Sequence, residues 1–326
     1  MTELLRRGAK GNEVREVQAF LNAEGYQAGA EDGVFGAGTE AAVERFQTAK
    51  GLTADGIVGP GTRAAMGLAP AATATTTSPV AQGDLAARCL ALIGSFETGQ
   101  AAPKCFSGLS GNFDGQGLSF GALQWCLGQG SLQPLLTALC TNHPDVVDRV
   151  FGPDAAAFRA GATGGTRDQQ VAWATTIQDS RHRVVSPWKD YFAALGATPE
   201  YQAIQVDAAG AMYRTALDMC RDFGLVSQRA VALMFGIRVQ NGSISSAVEA
   251  QIKADFAQIT ADGAPADETP LLRAVATRRA AVCKAQWVED VRTRLLTIAE
   301  GSGTVHGIRY DLAAQYGITL DRAEGL

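Results

Sequence analysis

The sequence predicts a mainly α-helical protein with two domains, a small three-helix domain and a larger helical domain that carries a small β-hairpin insert. Residues 69–83, APAATATTTSPVAQG, contain no charged or aromatic residue and cannot build a core, so we expect a linker between domains at 1–68 and 84–326. Apolar residues recur at helical spacing on both sides of this segment. The exception is the glycine-rich stretch 107–130, which predicts hairpins instead of a helix.

Composition argues against several classes of protein. The chain has 326 residues and a formal net charge of −5, which disfavours a nucleic-acid binder because such proteins usually carry a basic face. No apolar run is long enough to span a bilayer, so we expect no stable membrane insertion. The N-terminus, MTELLRRGAKGNEV, lacks the apolar core of a signal peptide, and we therefore expect synthesis in the cytoplasm without the usual secretory route.

Cysteine and histidine offer little material for a metal site. The six cysteines form no CxxC pair, and His143, His182 and His306 share no helical spacing. Zinc amidase and zinc peptidase mechanisms are therefore disfavoured. For the cysteines two interpretations stay open, a Cys105–Cys126 disulfide across the glycine-rich stretch or reduced residues buried as small apolar groups.

The small domain contains an internal repeat. The segment DGVFGAGTEAAVERF at 32–46 returns as DGIVGPGTRAAM at 55–66. Each Asp-Gly pair predicts a tight turn, and Thr39 and Thr62 are natural N-caps for the helices that follow. Together with the helix face formed by Val14, Val17 and Leu21, the repeat predicts three short helices with two matched loops.

This pattern closely resembles the peptidoglycan-binding domain of many bacterial and phage wall enzymes. The matching motifs are LxxGxxGxxVxxVQxxLNxxGY, DGxFGxxTxxAVxxFQ and GLxxDGIVGPxT, over nearly all of residues 4–68. The resemblance implies a groove for glycan or stem peptide near the two Asp-Gly loops. It makes Asp32, Phe35, Asp55 and Ile57 candidate wall contacts, although the residues alone leave Phe35 open between a ligand contact and a core position.

The large domain is predicted to be mostly helical. Asp84 can cap a helix that contains Leu85, Cys89, Leu92 and Phe96. Further helices are expected at 203–222 and 226–236. One long helix is expected from about Pro270 to Glu300, with Thr269 as cap and Gly301 at the exit.

Two acidic residues in this domain suggest glycoside hydrolysis, which needs one protonated and one ionised carboxyl group. Glu97 ends the apolar helix face, where partial burial would favour its protonated form and suit a general acid. Asp114 lies in the polar turn of the glycine-rich stretch and should stay ionised as a general base, with Ser119 placed to hold the attacking water. Taken singly, Glu97 could be an exposed helix end and Asp114 an ordinary turn residue. The pair, the hairpin and the wall-binding pattern together favour catalysis.

The segment from Glu97 to the Cys-x-Gly-x-Gly turn resembles the catalytic segment of family 46 chitosanases, and more widely the lysozyme superfamily, in which a helix-borne Glu faces a β-hairpin. The resemblance implies Glu97 as acid, Asp114 as base and Ser119 as the hydroxyl that positions water. It further implies single displacement with inversion, without metal or cofactor. The match covers about 35 residues.

Other segments suggest residues that line the glycan cleft. SFGALQ resembles the Gly-Leu-Met-Gln hairpin of lytic transglycosylases, which places Gln124 at the cleft with Trp125 beside it. The C-terminal segments IRVQNGSI and GTVHGIRYDL resemble those of modular phage-type muramidases. Gln240 and Asn241 could therefore contact the glycan, although Asn-Gly is also a common turn.

We therefore predict a modular, phage-type endolysin that cleaves the β-1,4 bond between N-acetylmuramic acid and N-acetylglucosamine. The expected partner is peptidoglycan, the protein is expected to be a monomer, and its action is expected at the wall after release from the cytoplasm. The alternatives are a lytic transglycosylase, a chitosanase- or chitinase-like hydrolase, and a non-catalytic wall-binding protein. A cysteine peptidase built on Cys126 is disfavoured because no histidine lies in an obvious partner segment.

Overall fold

The computed structural model describes residues 5–10, 12–52, 54–59, 62, 65–66, 79–261 and 263–326. The chain forms two compact units, residues 1–76 and 77–326, and each is considered by itself. Residues 69–78 of the predicted linker lie outside the described residues, whereas Pro79–Gln82 form a short 3-10 helix. The predicted fold class, mainly helical with a small antiparallel β-hairpin, is confirmed.

The small unit contains helices α1 (Asn12–Ala23) and α2 (Ala37–Ala49). Most of the third predicted helix, which would follow Thr62, lies outside the described residues. The predicted helix face is buried, since Val14, Val17 and Leu21 are each 0% exposed. These side chains form the core of the unit, because burying them removes apolar surface from water.

The first Asp-Gly loop is held by the side-chain amide of Gln18. Its Nε2 donates to Asp32 Oδ1, to the Val34 carbonyl and to Thr39 Oγ1, each at 3.1 Å. Its Oε1 accepts the Gly33 N–H at 2.9 Å. Gln18 is only 1% exposed. Its side-chain amide therefore provides hydrogen-bond partners for the polar groups of the turn that face the interior.

The second loop repeats this arrangement around Gln47. Its Nε2 donates to Asp55 Oδ1 at 2.8 Å, to the Ile57 carbonyl at 2.9 Å and to Thr62 Oγ1 at 3.1 Å. Its Oε1 accepts the Gly56 N–H at 3.0 Å. The sequence repeat is therefore also a repeat of one hydrogen-bond pattern.

Both threonines of the repeat serve this network. The predicted role of Thr39 as a helix cap needs correction, whereas the start of the helix predicted at Thr62 lies outside the described residues. The N-cap of α2 is Gly36, with no side-chain bond, and Thr39 lies one turn inside the helix. Thr39 is 2% exposed and Thr62 is 7% exposed, and each hydroxyl accepts from the glutamine of its own loop. Satisfying a buried amide took precedence over local capping.

The large unit is built from twelve described α-helices and two small sheets. Its helices are α3 (Leu85–Thr98), α4 (Gln133–Asn142), α5 (Pro144–Phe151), α6 (Ala155–Thr163), α7 (Arg167–Thr176), α8 (Trp188–Gly196), α9 (Pro199–Phe223), α10 (Gln228–Asn241), α11 (Ser246–Ile259), α12 (Thr269–Ala281), α13 (Val288–Glu300) and α14 (Leu312–Tyr316). None of the described helices is long and apolar enough to cross a membrane.

The glycine-rich stretch folds as predicted into antiparallel strands. Strands β1 (Leu109–Ser110), β2 (Ser119–Phe120) and β3 (Trp125–Cys126) form one sheet in the order β1-β2-β3. A second hairpin, β4 (Ser302–Val305) with β5 (Ile308–Asp311), follows α13 and was not predicted from the sequence.

Helix α3 lies at the centre of the large unit. It contacts α9, α10 and α14, and every residue from Cys89 to Phe96 is buried, as expected of a helix that is apolar all round. The predicted cap is present, because Asp84 Oδ1 accepts the Ala87 N–H at 2.7 Å. Gly99 ends the helix in the left-handed conformation, with φ +64°.

The single long helix expected at 270–300 is wrong. The chain forms α12, a short 3-10 turn at Ala285–Trp287, and then α13, which packs back on α12. Glu268, not Thr269, is the N-cap of α12, and Gly301 ends α13 at φ +78° as expected. Folding back buries Leu272 and Leu295 in one core, which a straight helix would leave partly in water.

Candidate active site

Glu97 is the first side chain of α3 to reach solvent after the buried run that ends at Phe96. Its side chain is 30% exposed, so the carboxyl group is partly shielded but accessible. The buried helix behind it fixes the backbone at this position. Glu97 therefore presents a carboxyl group from a rigid element to the surface, as a catalytic residue requires.

A chain of alternating charges holds this carboxylate. Arg294 on α13 donates from Nη1 to Glu97 Oε1 at 2.8 Å, and its Nε lies 3.0 Å from Asp290 Oδ2. Asp290 Oδ1 in turn lies 2.6 Å from Nε2 of His306, in the β4–β5 turn. The side chain of Arg294 is only 14% exposed. Its guanidinium therefore contacts both carboxylates where water screens the charges only partly.

This contact corrects the expected environment of Glu97. A partly buried carboxyl group was expected, but the side chain of Glu97 contacts the guanidinium of Arg294 at 2.8 Å. Asp290 gives the same guanidinium a second carboxylate partner at 3.0 Å.

Glycine at two positions lets the hairpin approach the end of α3. A Cβ at Gly94 would lie 2.7 Å from the Cβ of Ala122, in the β2–β3 turn. A Cβ at Gly108 would lie 2.5 Å from Cγ2 of Thr98 and 2.8 Å from Nε2 of Gln124. The hairpin and the helix that carry the two candidate carboxylates thus pack in direct contact.

Asp114 is exposed in the loop between β1 and β2. Its Oδ1 accepts the Gln116 N–H at 3.1 Å, a bond that shapes the turn. Ser119 lies on β2, paired with Ser110 and Cys126. Among the described residues no hydrogen bond or ion pair joins Asp114 to Glu97, so any cooperation between them would pass through a bound substrate or water.

A hollow of about 630 Å³ lies beside both carboxylate-bearing segments. It is lined by Gln100, three residues after Glu97, and by Phe113, which precedes Asp114. Phe113 is 68% exposed, a large apolar side chain presented to solvent beside the candidate base. The hollow is of the size typical of ligand sites.

A second hollow, of about 330 Å³, lies between α10 and α13. Gln240 lines it and also lines the narrow space next to Glu97 and Arg294, so the structure brings Gln240 and Glu97 together. Trp287 lines the same hollow and is 54% exposed, and no sequence motif marks this tryptophan as a functional residue. The side chain of Asn241 lies outside the described part of the chain.

The other predicted cleft residues have structural roles. Gln124, at φ +52°, accepts the Ser110 hydroxyl at 2.8 Å and donates to the Gly121 carbonyl at 3.0 Å, which stabilises the hairpin beside Thr98. Trp125 is 8% exposed and packs in the core, so the expectation that its ring lines the cleft needs correction.

In the small unit, one predicted wall contact is buried in the core, and the others lie in the two Asp-Gly loops. Phe35 is 1% exposed and belongs to the core, so it cannot be a wall contact. The residue before it, Val34, is 41% exposed, and Ile57 at the matching place in the second loop is partly exposed. The Val34 N–H and the Gln18 amide lower the pKa of Asp32. The Ile57 N–H and the Gln47 amide likewise lower the pKa of Asp55, so both aspartates stabilise their loops.

Thiol and metal chemistry find no support in the described residues. All six cysteines are free, and burial raises the pKa of Cys105 and Cys220 to about 12. Cys126 is 4% exposed and donates to the Gln116 carbonyl, which is a structural contact. Within the described residues no group of three or more His, Cys, Asp or Glu side chains could hold a metal ion.

Comparison with known proteins identifies part of the chain. No curated protein sequence matches it. Among solved structures, similarity is found to the N-terminal domain of SleB (39% identity, 20% of this chain and 90% of that chain, TM-score 0.20). It is also found to a family 46 chitosanase from Gynuella sunshinyii with chitotetraose (14% identity, 68% and 94%, TM-score 0.40) and to a mutant chitosanase from Bacillus subtilis with 6 GlcN (14% identity, 71% and 97%, TM-score 0.42). Residues 10–66 match the family model "Putative peptidoglycan binding domain", and the chain therefore carries a peptidoglycan-binding domain at its N-terminal end.

Proposed function

We propose that this chain is a peptidoglycan hydrolase, specifically a muramidase that cleaves the β-1,4 bond after N-acetylmuramic acid. One observation carries the proposal: the buried helix that presents Glu97 near its end packs against the hairpin that bears Asp114, in a chain with a peptidoglycan-binding domain. We further propose that the enzyme acts at the cell wall as an endolysin, after release from the cytoplasm.

In the proposed reaction Glu97 is the general acid and Asp114 is the general base. Glu97 donates a proton to the glycosidic oxygen as the bond to the anomeric carbon breaks. Asp114 removes a proton from a water molecule, aided by the Ser119 hydroxyl, and the water oxygen bonds to the anomeric carbon from the opposite face. The product has inverted configuration. The exposure of Asp114 gives the proposed base access to water.

Arg294 positions the proposed acid in this scheme. In the free protein it pairs with Glu97, while Asp290 offers a second carboxylate to the same guanidinium. Substrate that displaces water from the site would strengthen the competition between these two contacts. Arg294 is thus a positioning residue, and Asp290 gives its guanidinium a second partner.

The hollow next to Gln240 is proposed to hold part of the glycan. Trp287 offers an exposed aromatic face, on which a sugar ring can stack, and Gln240 offers an amide to the acetamido and hydroxyl groups. The location of Gln240 beside Glu97 places this hollow next to the acid.

The experiment that tests the proposal compares wild type with Glu97→Gln and Asp114→Asn on purified sacculi. The matched controls are Glu324→Gln and Asp222→Asn, exposed acids outside the candidate site that remove the same charge. Soluble products are identified by mass spectrometry. Loss of activity in both site variants, with reducing muramic acid ends from wild type, would support the muramidase.

Other outcomes point to the alternatives. Activity of Asp114→Asn together with 1,6-anhydro ends would identify a lytic transglycosylase, which needs no base that activates water. Cleavage of chitosan but not of sacculi would identify a chitosanase. Sacculus binding without cleavage by any form of the protein would leave a non-catalytic wall-binding protein.

A further inference from the structure

The hollow of about 630 Å³ beside the β1–β2 loop is basic. Lys104, Arg183 and Lys189 line it, and no carboxylate belongs to its described lining. Arg183 is already paired with Asp179, through two bonds of 2.9 and 2.7 Å. Lys104 and Lys189 are exposed and form no ion pair with any described residue. The hollow is therefore lined by two positive charges that no described carboxylate neutralises.

The walls between these charges are apolar. Leu109, Phe113 and Val184 line the same space, and Phe113 is 68% exposed. A ligand that fits must therefore combine negative charge with small apolar groups. The net charge of the whole chain is −5, so a basic hollow is a local feature and does not follow from composition.

The location ties the hollow to the candidate chemistry. Phe113 is the neighbour of Asp114 along the chain, and Gln100 follows Glu97 by three residues. Both segments that carry the candidate carboxyl groups therefore contribute to its lining, although Glu97 and Asp114 themselves do not line it. Unlike a chitosan chain, which is cationic, a peptidoglycan chain carries peptides with free carboxylates and alanyl methyl groups on its muramic acid residues.

We propose that this hollow binds the stem peptide of peptidoglycan, with Lys104 and Lys189 pairing with its carboxylates and the apolar wall contacting its methyl groups. The inference rests on the proposed function, because it names a substrate feature that the same site recognises. It also supplies a physical basis for preferring peptidoglycan, since a cationic glycan would be repelled.

The test measures binding in the inactive Glu97→Gln background, with three soluble probes that share one disaccharide. The first carries a native stem peptide, the second carries a stem peptide with amidated carboxylates, and the third carries only the lactyl carboxylate. Lys104→Glu and Lys189→Glu are compared with Arg214→Glu, an exposed cation on α9 that does not line the hollow and changes net charge equally.

We expect the native probe to bind more tightly than the amidated one. Each lysine variant should weaken native binding by about two- to fivefold, as for exposed ion pairs, and affect the amidated probe less. The loss should shrink at high salt. Arg214→Glu should bind as the parent protein does.

Three results would refute the inference. One is unchanged native binding in both lysine variants. A second is equal loss on native and amidated probes, which would mean that the hollow contacts the glycan itself. A third is lysine-dependent binding of the lactyl probe as tight as that of the native probe, which would assign the charge to the lactyl group. Failure of wild type to cleave sacculi, with lysine-dependent peptide binding intact, would refute the hydrolase but not the binding site.

Discussion

Replacing Gly94 by alanine tests whether the hairpin is positioned by direct contact with α3. The added Cβ would lie 2.7 Å from the Cβ of Ala122 and 3.2 Å from its Cα. Carbon atoms prefer a separation of about 3.5–4.0 Å, so the turn must retreat by roughly 1 Å. Overpacking of this kind costs about 1–3 kcal/mol, and the better helix propensity of alanine offsets up to about 1 kcal/mol.

We therefore expect Gly94→Ala to lower the free energy of unfolding by about 0–2 kcal/mol and to lower kcat by up to about 100-fold, because the hairpin carries Asp114. Urea unfolding and release of soluble muropeptides measure the two quantities. Gly210→Ala on α9 is the matched control, since its added Cβ meets only the Arg214 guanidinium, at 3.4 Å. It should gain up to about 1 kcal/mol and stay fully active.

A partial rescue follows from the same geometry. Ala122→Gly removes the atom at 2.7 Å from the added Cβ but leaves the backbone contacts at 3.2 Å. The double variant Gly94→Ala/Ala122→Gly should therefore recover part of the lost kcat. The reasoning fails if Gly94→Ala is as active and as stable as Gly210→Ala.

Three further predictions concern the loops and the acid. Gln47→Ala should destabilise the small unit by about 2–3 kcal/mol, because it leaves several buried polar groups without partners. The loss of sacculus binding with rising urea concentration measures this effect. An unchanged urea midpoint would contradict the role of Gln47. The pKa values of Asp32 and Asp55 are lowered from 3.8, so their contribution to stability is present above about pH 4 and is lost as the pH falls through the folded-state pKa values. An acid titration of the small unit should show this loss, and Asp55→Asn should make it shallower. Arg294→Gln should lower kcat by at least about tenfold with a smaller effect on KM, and Arg294→Lys should recover part of it; equal kcat in all three proteins would exclude a positioning role for this contact with Glu97.

Local features of the fold could be predicted because their causes are local. The capped helix that begins after Asp84 shows its apolar periodicity and its cap in consecutive residues, and Gly99 marks its end. The glycine-rich stretch predicts strands and turns for the same reason. The repeat of the Asp-Gly loops was visible in the sequence, and the structure adds that Gln18 and Gln47 hold the two loops in the same way.

Where prediction failed, a tertiary contact outweighed a local signal. The segment Val282–Trp287 contains no glycine or proline that would predict the end of a helix. The chain nevertheless turns there, because α13 then packs against α12 in the core. Phe35 was open between a wall contact and a core position and Trp125 was placed at the cleft, and both are buried once their neighbours pack around them. Thr39 had the position of a cap but satisfies Gln18 instead.

By itself the sequence determined a mainly helical protein with a wall-binding repeat and two carboxylates, Glu97 and Asp114, on a helix end and a hairpin. Only the tertiary structure decided what surrounds them. Arg294 meets Glu97 across 197 positions of the chain, and the lysines of the basic hollow come from separate elements. Periodicity and spacing report on neighbours along the chain, whereas the charge and shape of a site depend on which distant elements pack together.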